Sequence, residues 1–210
     1  MGRLLDVAEQ RVARRRTSTQ TREHVLAIAH ELFYWNGIRA IGVDKIAAEA
    51  GVAPTTLYRL FASKDDLIAA YVERADHAYR EWFTQATQAD GRSARERILA
   101  LFDDLLVQLQ PDNCRGCPFL MTLAEYPDTQ VAGHRQAVAM KTWVHERFNE
   151  LTRQLPNVND PALLADHLTL IMEGAYASVQ ALGIDGPARQ ARILAETILP
   201  GEDARPTSGS

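Results

Sequence analysis

Apolar residues recur every three or four positions along most of this chain. That spacing places side chains on one face of an α-helix. The first clear stripe consists of Val25, Ile28, Ala29, Leu32 and Phe33. Gly37 follows this stripe as a helix stop. We find no sustained two-residue alternation of the kind that a half-buried strand requires, so the pattern predicts an all-α fold of about nine helices.

Glycine, proline and capping residues separate the stripes and give the expected helix bounds. Two short helices are expected at 43–50 and 54–60, with Gly51 between them and Pro54 in the first turn of the second. Ser63 is placed to cap a long helix that follows. Further helices are expected at 93–109, 117–126, 130–155, 161–182 and 187–199.

The segment 41–67 has the spacing of a helix-turn-helix. Two short helices that cross steeply need a small residue at their closest approach, which Ala47 supplies, and a turn residue that tolerates positive φ, which Gly51 supplies. The positions that must face inward carry Ile46, Ala50, Val52, Leu57 and Phe61. The alternative is a plain helical hairpin inside a larger bundle.

The sequence GVAPTTLYRLFASKDDL, residues 51–67, resembles the tetracycline-repressor (TetR) family, in which Gly-Val, Thr-Leu-Tyr, Phe and Ser-Lys stand at this spacing. The resemblance is specific over residues 19–85 and general elsewhere. It implies an N-terminal three-helix DNA-binding domain and a C-terminal helical body for effector binding and dimerisation. It also implies a homodimeric, ligand-responsive repressor of a palindromic operator on double-stranded DNA. The competing hypothesis is a helical small-molecule-binding protein or enzyme that does not use DNA.

The same resemblance assigns roles to residues near the helix-turn-helix. The recognition helix would carry Pro54, Thr55, Thr56, Tyr58 and Arg59. Tyr58 and Lys64 would contact phosphates, and Lys45 is a further DNA-binding candidate. Thr55, Thr56 and Arg59 would face base edges, which suits an arginine that bonds guanine and a threonine methyl that meets thymine.

Three positions depart from the family pattern. Gly42 and Ala53 stand where the family often has hydroxyl residues that cap the second and third helices. Leu60 replaces a frequent polar ring near the DNA backbone. We therefore expect some individual DNA contacts of the family to be missing.

The distribution of charge supports a polyanion-binding N-terminal region. The net charge is −4, but residues 11–64 contain nine Lys and Arg against four Asp and Glu, a balance of +5, so the remainder carries −9. Arg14, Arg15 and Arg16 are expected to enter a minor groove from a basic arm. The expected division is an arm at 1–18, a DNA-binding domain at 19–66, a body at 67–200 and a disordered tail at 201–210.

The sequence favours a cytoplasmic, non-catalytic protein without a cofactor. No apolar run approaches the roughly 18 residues that span a bilayer, and the first residues do not form a secretory signal. No catalytic motif is present. Cys114 and Cys117 lack the further ligands that zinc requires. We interpret Cys117 as a buried structural residue; the alternative is a thiol of lowered pKa that senses oxidants.

The body contains bulky side chains that are candidates for an effector pocket. They are Phe102, Leu106, Phe119, Met121, Glu125, Met140, Trp143, Met172, Glu173 and Tyr176. A filled core is the alternative for about half of them. We expect an apolar, aromatic or lipid-like effector oriented by Trp143, Tyr176 or Glu125. Glu173 interrupts an apolar helix and needs a structural partner or a cationic effector group.

The last two long helices are expected to form the dimer interface. The predicted stripe on the helix that begins at residue 161 consists of Leu164, Leu168, Ile171, Ala175, Ser178, Val179 and Leu182. The last helix adds Ile193, Leu194, Ile198 and Leu199. Together they predict a four-helix interface between two chains.

Overall fold

A computed structural model describes residues 17–201. Within this range the chain forms nine α-helices, one short 3₁₀ helix and no strand. The α-helices are α1 (Ser18–Asn36), α2 (Val43–Glu49), α3 (Pro54–Leu60), α4 (Lys64–Ala86), α5 (Ala94–Gln108), α6 (Pro118–Glu125), α7 (Ala132–Thr152), α8 (Pro161–Leu182) and α9 (Ala191–Ile198). The all-α prediction is therefore confirmed.

Helix bounds follow the capping residues closely. Thr17 caps α1 in a reciprocal capping box with Gln20, and Ser93 caps α5 in the same way with Glu96. The last predicted helix is divided, because Pro187–Gln190 is a 3₁₀ helix and the α-helix begins at Ala191. Its short first turn explains why a continuous helix from residue 187 was expected.

Helices α1 to α3 form a three-helix unit, and α4 continues from it into the body. The expected domain boundary after residue 66 falls in the first turn of α4, which runs unbroken to Ala86. The proposed division into domains stays a prediction. The arm at 1–18, with Arg14, Arg15 and Arg16, lies outside the described residues except for its last two positions. The tail lies outside them from residue 202 onward.

The body is built around α7, which packs against α4, α6 and α8. Gly133 lets α7 approach α4 closely, because a Cβ there would lie 3.0 Å from Cγ2 of Ile68. Farther along, Phe148 contacts Phe83 and Phe102, with ring centroids 5.6 Å and 6.2 Å apart. These aromatic contacts fill the interior with side chains.

The predicted dimer stripe on α8 is wrong in part. Its members Leu164, Leu168, Ala175 and Val179 are buried within the protomer. Leu182 of the predicted stripe is 65% exposed, and the outward face also carries Leu163, which is 50% exposed, and Leu170, which is 68% exposed. Leucines occur on both sides of this helix, so periodicity alone did not determine which side faces the core.

The apolar residues predicted for the interface on α9 and just after it are also divided between the surface and the core. Ile193 and Leu194 are exposed as expected, while Leu199 is buried against the body and Ile198 is half-buried.

None of the helices between residues 17 and 201 combines the length and apolarity needed to cross a bilayer.

Candidate DNA-binding and effector-binding sites

The turn between α2 and α3 has the predicted geometry. Ala47 is 1% exposed at the contact between the helices, and Gly51 has a φ of +64°, which favours glycine. The N–H of Val52 donates to the carbonyl of Ala47 at 3.0 Å and closes the turn. The inward residues Ile46, Ala50, Leu57 and Phe61 are buried, and Val52 is half-buried.

The outer face of α3 is open to solvent. Pro54, Thr55, Tyr58 and Arg59 are exposed, Thr56 is half-buried, and Leu57 anchors the helix to the core. Lys45 on α2 is also exposed. Among the described residues, none forms a hydrogen bond or ion pair with the side chains of Thr55, Tyr58 or Arg59. These groups are therefore free to bind an external partner.

The predicted departures at the helix starts are confirmed. Gly42 is the N-cap of α2 and Ala53 is the N-cap of α3, and neither supplies a side-chain hydrogen bond. The first N–H groups of both helices consequently lack the side-chain acceptor that a hydroxyl residue would give them.

Lys64 has an internal hydrogen-bond partner. Its Nζ donates to the carbonyl of Ile38 at 2.9 Å. Burial lowers the pKa of the Lys64 ammonium, while the carboxylates of Glu125 and Asp65 act in the opposite direction. The side chain is thus directed toward the loop after α1, and its predicted phosphate contact stays a prediction.

Glu125, at the end of α6, holds the same loop from the other side. Its two carboxylate oxygens accept hydrogen bonds from the backbone N–H groups of Ile38 at 3.1 Å and Arg39 at 2.7 Å. This corrects the prediction that Glu125 orients an effector. Its carboxylate instead fastens α6 to the loop between α1 and α2.

A second set of contacts joins the start of α6 to α1. The hydroxyl of Tyr34 donates to the carbonyl of Gly116 at 3.0 Å and accepts from the N–H of Arg115 at 2.8 Å. The guanidinium of Arg115 also donates to the carbonyl of Tyr34 at 2.9 Å. We call these contacts, together with those of Glu125 and Lys64, the junction. Both ends of α6 are therefore tied to the three-helix unit.

Four predicted effector residues are core residues. Phe102, Phe119, Met140 and Met172 are at most 1% exposed and pack in the continuous hydrophobic core. Their helical spacing is equally typical of a filled interior, and the structure favours that alternative. Leu106 and Met121 are half-buried.

Glu173 has an intramolecular partner. Its Oε1 accepts from Nζ of Lys141 at 2.7 Å, across the contact between α7 and α8. A structural partner was the expected alternative to an effector group, and that partner is a lysine of the same chain. Burial alone would favour the neutral amine, but the nearby Cys117 and Glu173 raise the pKa of Lys141.

Cys117 is 2% exposed and unpaired, which confirms that it is buried. Burial raises the pKa of its thiol, with Lys141 acting in the opposite direction. These effects favour the buried structural residue over a thiol of lowered pKa. Among residues 17–201, His, Cys, Asp and Glu side chains form no cluster suited to a metal ion.

A cleft of about 510 Å³ lies between α1 and the body. On the α1 side it is lined by His30, Glu31, Tyr34 and Trp35. On the body side its lining includes Ala78, Tyr79, Val107, Gln108, Asp112 and Tyr176. Of the predicted effector residues, Tyr176 lines this cleft.

Trp143 lies elsewhere, in a separate groove of about 390 Å³ between α4 and α7. Its ring packs against Phe83 at 5.4 Å and has the guanidinium of Arg80 4.5 Å from its centroid. The predicted effector residues therefore do not share one cavity.

Sequence reasoning missed the α1 wall of the cleft. His30 and Tyr34 stand four positions apart, with ring centroids at 6.2 Å, and Trp35 follows directly. These residues form a second, aromatic stripe on α1, beside the stripe of Val25, Ala29 and Phe33. This second stripe was the signal in the sequence that indicated another packed or binding face.

Comparison with known proteins agrees with this architecture. Residues 25–71, which contain α2, α3 and most of α1, match the model of the family described as bacterial regulatory proteins, tetR family. The crystal structure of a TetR-family transcriptional regulator from Streptomyces coelicolor is 32% identical in sequence. It aligns over 85% of this chain and 94% of that chain, with a TM-score of 0.80. This chain belongs to the TetR family.

Two curated relatives extend the comparison to the body. The HTH-type transcriptional regulator YjdC of Escherichia coli (strain K12) is 25% identical over 178 residues, which is 85% of this chain and 93% of that protein. The HTH-type transcriptional repressor NemR of the same strain is 32% identical over 113 residues, covering 53% and 57% of the two chains. As a TetR-family member, the protein is a DNA-binding, ligand-responsive regulator of transcription.

Proposed function

We propose that this protein is a homodimeric repressor that binds a palindromic operator in the cytoplasm and is released from it by a small organic effector. The observation that carries the proposal is the outer face of α3, where Thr55, Tyr58 and Arg59 are exposed and without intramolecular partners. Such groups can bind base edges and phosphates without first breaking contacts within the protein.

Dimerisation supplies the second recognition helix, which binds the other half of the operator. In helix-turn-helix dimers the two recognition helices bind half-sites about 34 Å apart, one turn of DNA. The exposed apolar residues of the last helices support this arrangement, because Leu163 and Leu170 on α8 and Ile193 and Leu194 on α9 are each at least 50% exposed. Apolar surface of this kind is typical of an interface.

The dimer interface can be tested by replacing one of its exposed apolar residues with a charged residue. Leu170→Arg places a charge on the exposed face and is expected to give monomers in analytical ultracentrifugation, with an unchanged helical circular-dichroism spectrum. Val107→Arg, at another exposed apolar residue that lies on α5, is the matched control and should stay dimeric. A dimeric Leu170→Arg protein would place the interface elsewhere.

The function itself is tested by selecting operator sequences from a random DNA library with the purified dimer. We expect an enriched inverted repeat whose half-sites are separated by about one helical turn. A gel shift with the enriched site should weaken steeply as salt increases, since phosphate contacts release counterions. Failure to enrich any sequence would argue against an operator-binding role.

Effector release needs a route from the body to α3, and the junction provides one. Tyr34 is tied to the start of α6, while the loop after α1 is tied to the end of α6 through Glu125. A ligand that changes the position of α6 or α1 therefore changes how the three-helix unit is held. In a dimer this alters the separation of the recognition helices, which is set by the body.

A further inference from the structure

The cleft between α1 and the body has the size of a small-molecule site. Its volume of about 510 Å³ falls within the roughly 300–1,000 Å³ typical of ligand pockets. Large apolar side chains remain open to solvent there, with Trp35 40% exposed and Val107 66% exposed. A ligand in this cleft would contact the three-helix unit directly, because α1 forms one of its walls.

The charged residues that line the cleft are acidic. Glu31 and Asp112 are its acidic residues, and no lysine or arginine lines it. Of the ion pairs within residues 17–201, none involves either carboxylate. Burial lowers the pKa of the His30 imidazole and so favours its neutral form. Its Nδ1 is buried without a hydrogen-bond partner.

The remaining lining is rich in aromatic rings. Tyr34 and Trp35 lie on the α1 side with ring centroids 5.1 Å apart, and Tyr79 and Tyr176 lie on the body side. The face of an aromatic ring attracts a cation, and the attraction is greatest where water is excluded. Carboxylates that form no ion pair, beside several rings, are the chemistry that recognises a protonated or quaternary organic amine.

We propose that this cleft binds an aromatic organic cation, whose charge is neutralised by Glu31 and Asp112 and whose apolar part packs against Trp35 and the tyrosines. The proposal rests on the proposed function for the ligand's role as effector. It adds a positive charge to the apolar, aromatic or lipid-like effector that the sequence led us to expect. It also moves the site from the interior of the body to its boundary with α1.

Occupation of the cleft would be coupled to the junction. Tyr34 lines the cleft and also bonds to Arg115 and Gly116, so a ligand against its ring acts on the contact that positions α1. Binding free energies are coupled reciprocally, so operator DNA should change the affinity for the cation by the same factor as the cation changes the affinity for DNA.

Isothermal titration calorimetry of the full-length protein without DNA tests the site. The probe is (2-naphthylmethyl)trimethylammonium, and its comparators are neutral 2-naphthylethanol and anionic 2-naphthylacetate. We expect the cation to bind at least tenfold more tightly than either comparator. The double variant Glu31→Gln, Asp112→Asn should reduce binding of the cation at least tenfold and remove the preference for positive charge.

Two further variants show whether the effect belongs to the cleft. The control Glu81→Gln, Asp104→Asn removes two exposed carboxylates outside the cleft and should bind the cation like the wild type. Ala78→Trp fills the cleft from an exposed position on α4 and should abolish binding of the cation.

The outcomes that overturn the proposal are equally defined. Absence of binding at millimolar probe, equal affinity for all three compounds, or wild-type affinity in the Glu31→Gln, Asp112→Asn protein would each exclude a cation site in the cleft. These measurements contain no DNA. A protein that binds the cation as expected but selects no operator would overturn the proposed function and leave the cation-site proposal standing. A protein that selects an operator but does not bind the cation would overturn the cation-site proposal alone.

Discussion

Two faces of the three-helix unit differ in whether their polar groups have hydrogen-bond partners within the protein. On the outer face, Thr55, Tyr58 and Arg59 are exposed and unpartnered. At the junction, the polar groups of Tyr34, Arg115 and Glu125 are bonded between α1, its following loop and α6. The polar groups on one side are therefore free to bind, while those on the other side fasten the unit to the body.

The comparison also separates two kinds of energetic consequence. Removing a free polar group from the outer face costs the folded protein little, because surface substitutions without partners usually change stability by less than about 0.5 kcal/mol. Removing a paired group at the junction leaves its partner unsatisfied in a partly buried site. Variants of the outer face should therefore change DNA affinity alone, whereas variants of the junction should change stability and the response to ligand.

The largest effect on stability is expected for Glu125→Ala. The change removes two hydrogen bonds to a charged acceptor and leaves the N–H groups of Ile38 and Arg39 without it, at an expected cost of about 2–3 kcal/mol in the free energy of unfolding. Chemical denaturation measures this. Glu146→Ala, at an exposed residue of α7, is the control and should change stability by less than about 0.5 kcal/mol. Equal stability of the two variants would mean that the Glu125 contacts do not hold the loop.

Arg59→Ala should do the reverse. We expect a loss of about 1–3 kcal/mol in operator binding and a relaxed preference at one base pair of each half-site, because one arginine contact to a base edge is removed. Thermal unfolding should be unchanged. The control is Arg153→Ala, at an exposed arginine just after α7 and remote from α3. An unaltered base preference in a binding-site selection would reject the base-reading role of Arg59.

A smaller effect is expected for Tyr34→Phe at the junction. The ring stays in place, but the N–H of Arg115 and the carbonyl of Gly116 lose their partner, which should cost about 1–2 kcal/mol of stability. If α1 is positioned through this hydroxyl, the variant should bind operator and show a weakened response to ligand. Tyr58→Phe on the outer face is the matched control for stability, because its hydroxyl has no internal partner. A full ligand response in Tyr34→Phe would show that this bond does not transmit the signal.

The helix-turn-helix was predictable because its local chemistry determines its shape. A glycine with positive φ at position 51 and a proline in the first turn of α3 set the turn and the helix start, so α3 begins and ends where expected. Helices α5 and α6 likewise begin at a capping serine and at a proline in the first turn, respectively. In each case the decisive interactions lie within a few residues in sequence.

The sites in the body were less predictable because their chemistry depends on contacts distant in sequence. Phe102 and Met140 have the spacing of a helix face in either a filled core or a cavity, and only packing distinguishes the two. Glu125 meets Ile38 across 87 positions of sequence, and Tyr34 meets Gly116 across 82. A single sequence contains no local signal for such pairs, so the functional role of Glu125 was misassigned.

Lys64 tests the boundary between the two faces most directly, because sequence resemblance placed it on DNA and the structure gives it an internal partner. Its Nζ bonds to the carbonyl of Ile38, so Lys64→Ala should lower the free energy of unfolding by about 1 kcal/mol. If this bond is retained on DNA, the variant should leave the dependence of operator affinity on salt unchanged, since no phosphate contact is lost. Lys45→Ala, at an exposed lysine of α2, should leave stability unchanged and reduce the slope of log affinity against log salt by about 0.9, the value for one phosphate contact. Gel shifts over a series of salt concentrations measure both slopes. A reduced slope for Lys64→Ala, with wild-type stability, would return Lys64 to the DNA-binding face and would show that its bond to Ile38 is exchanged for a phosphate in the complex.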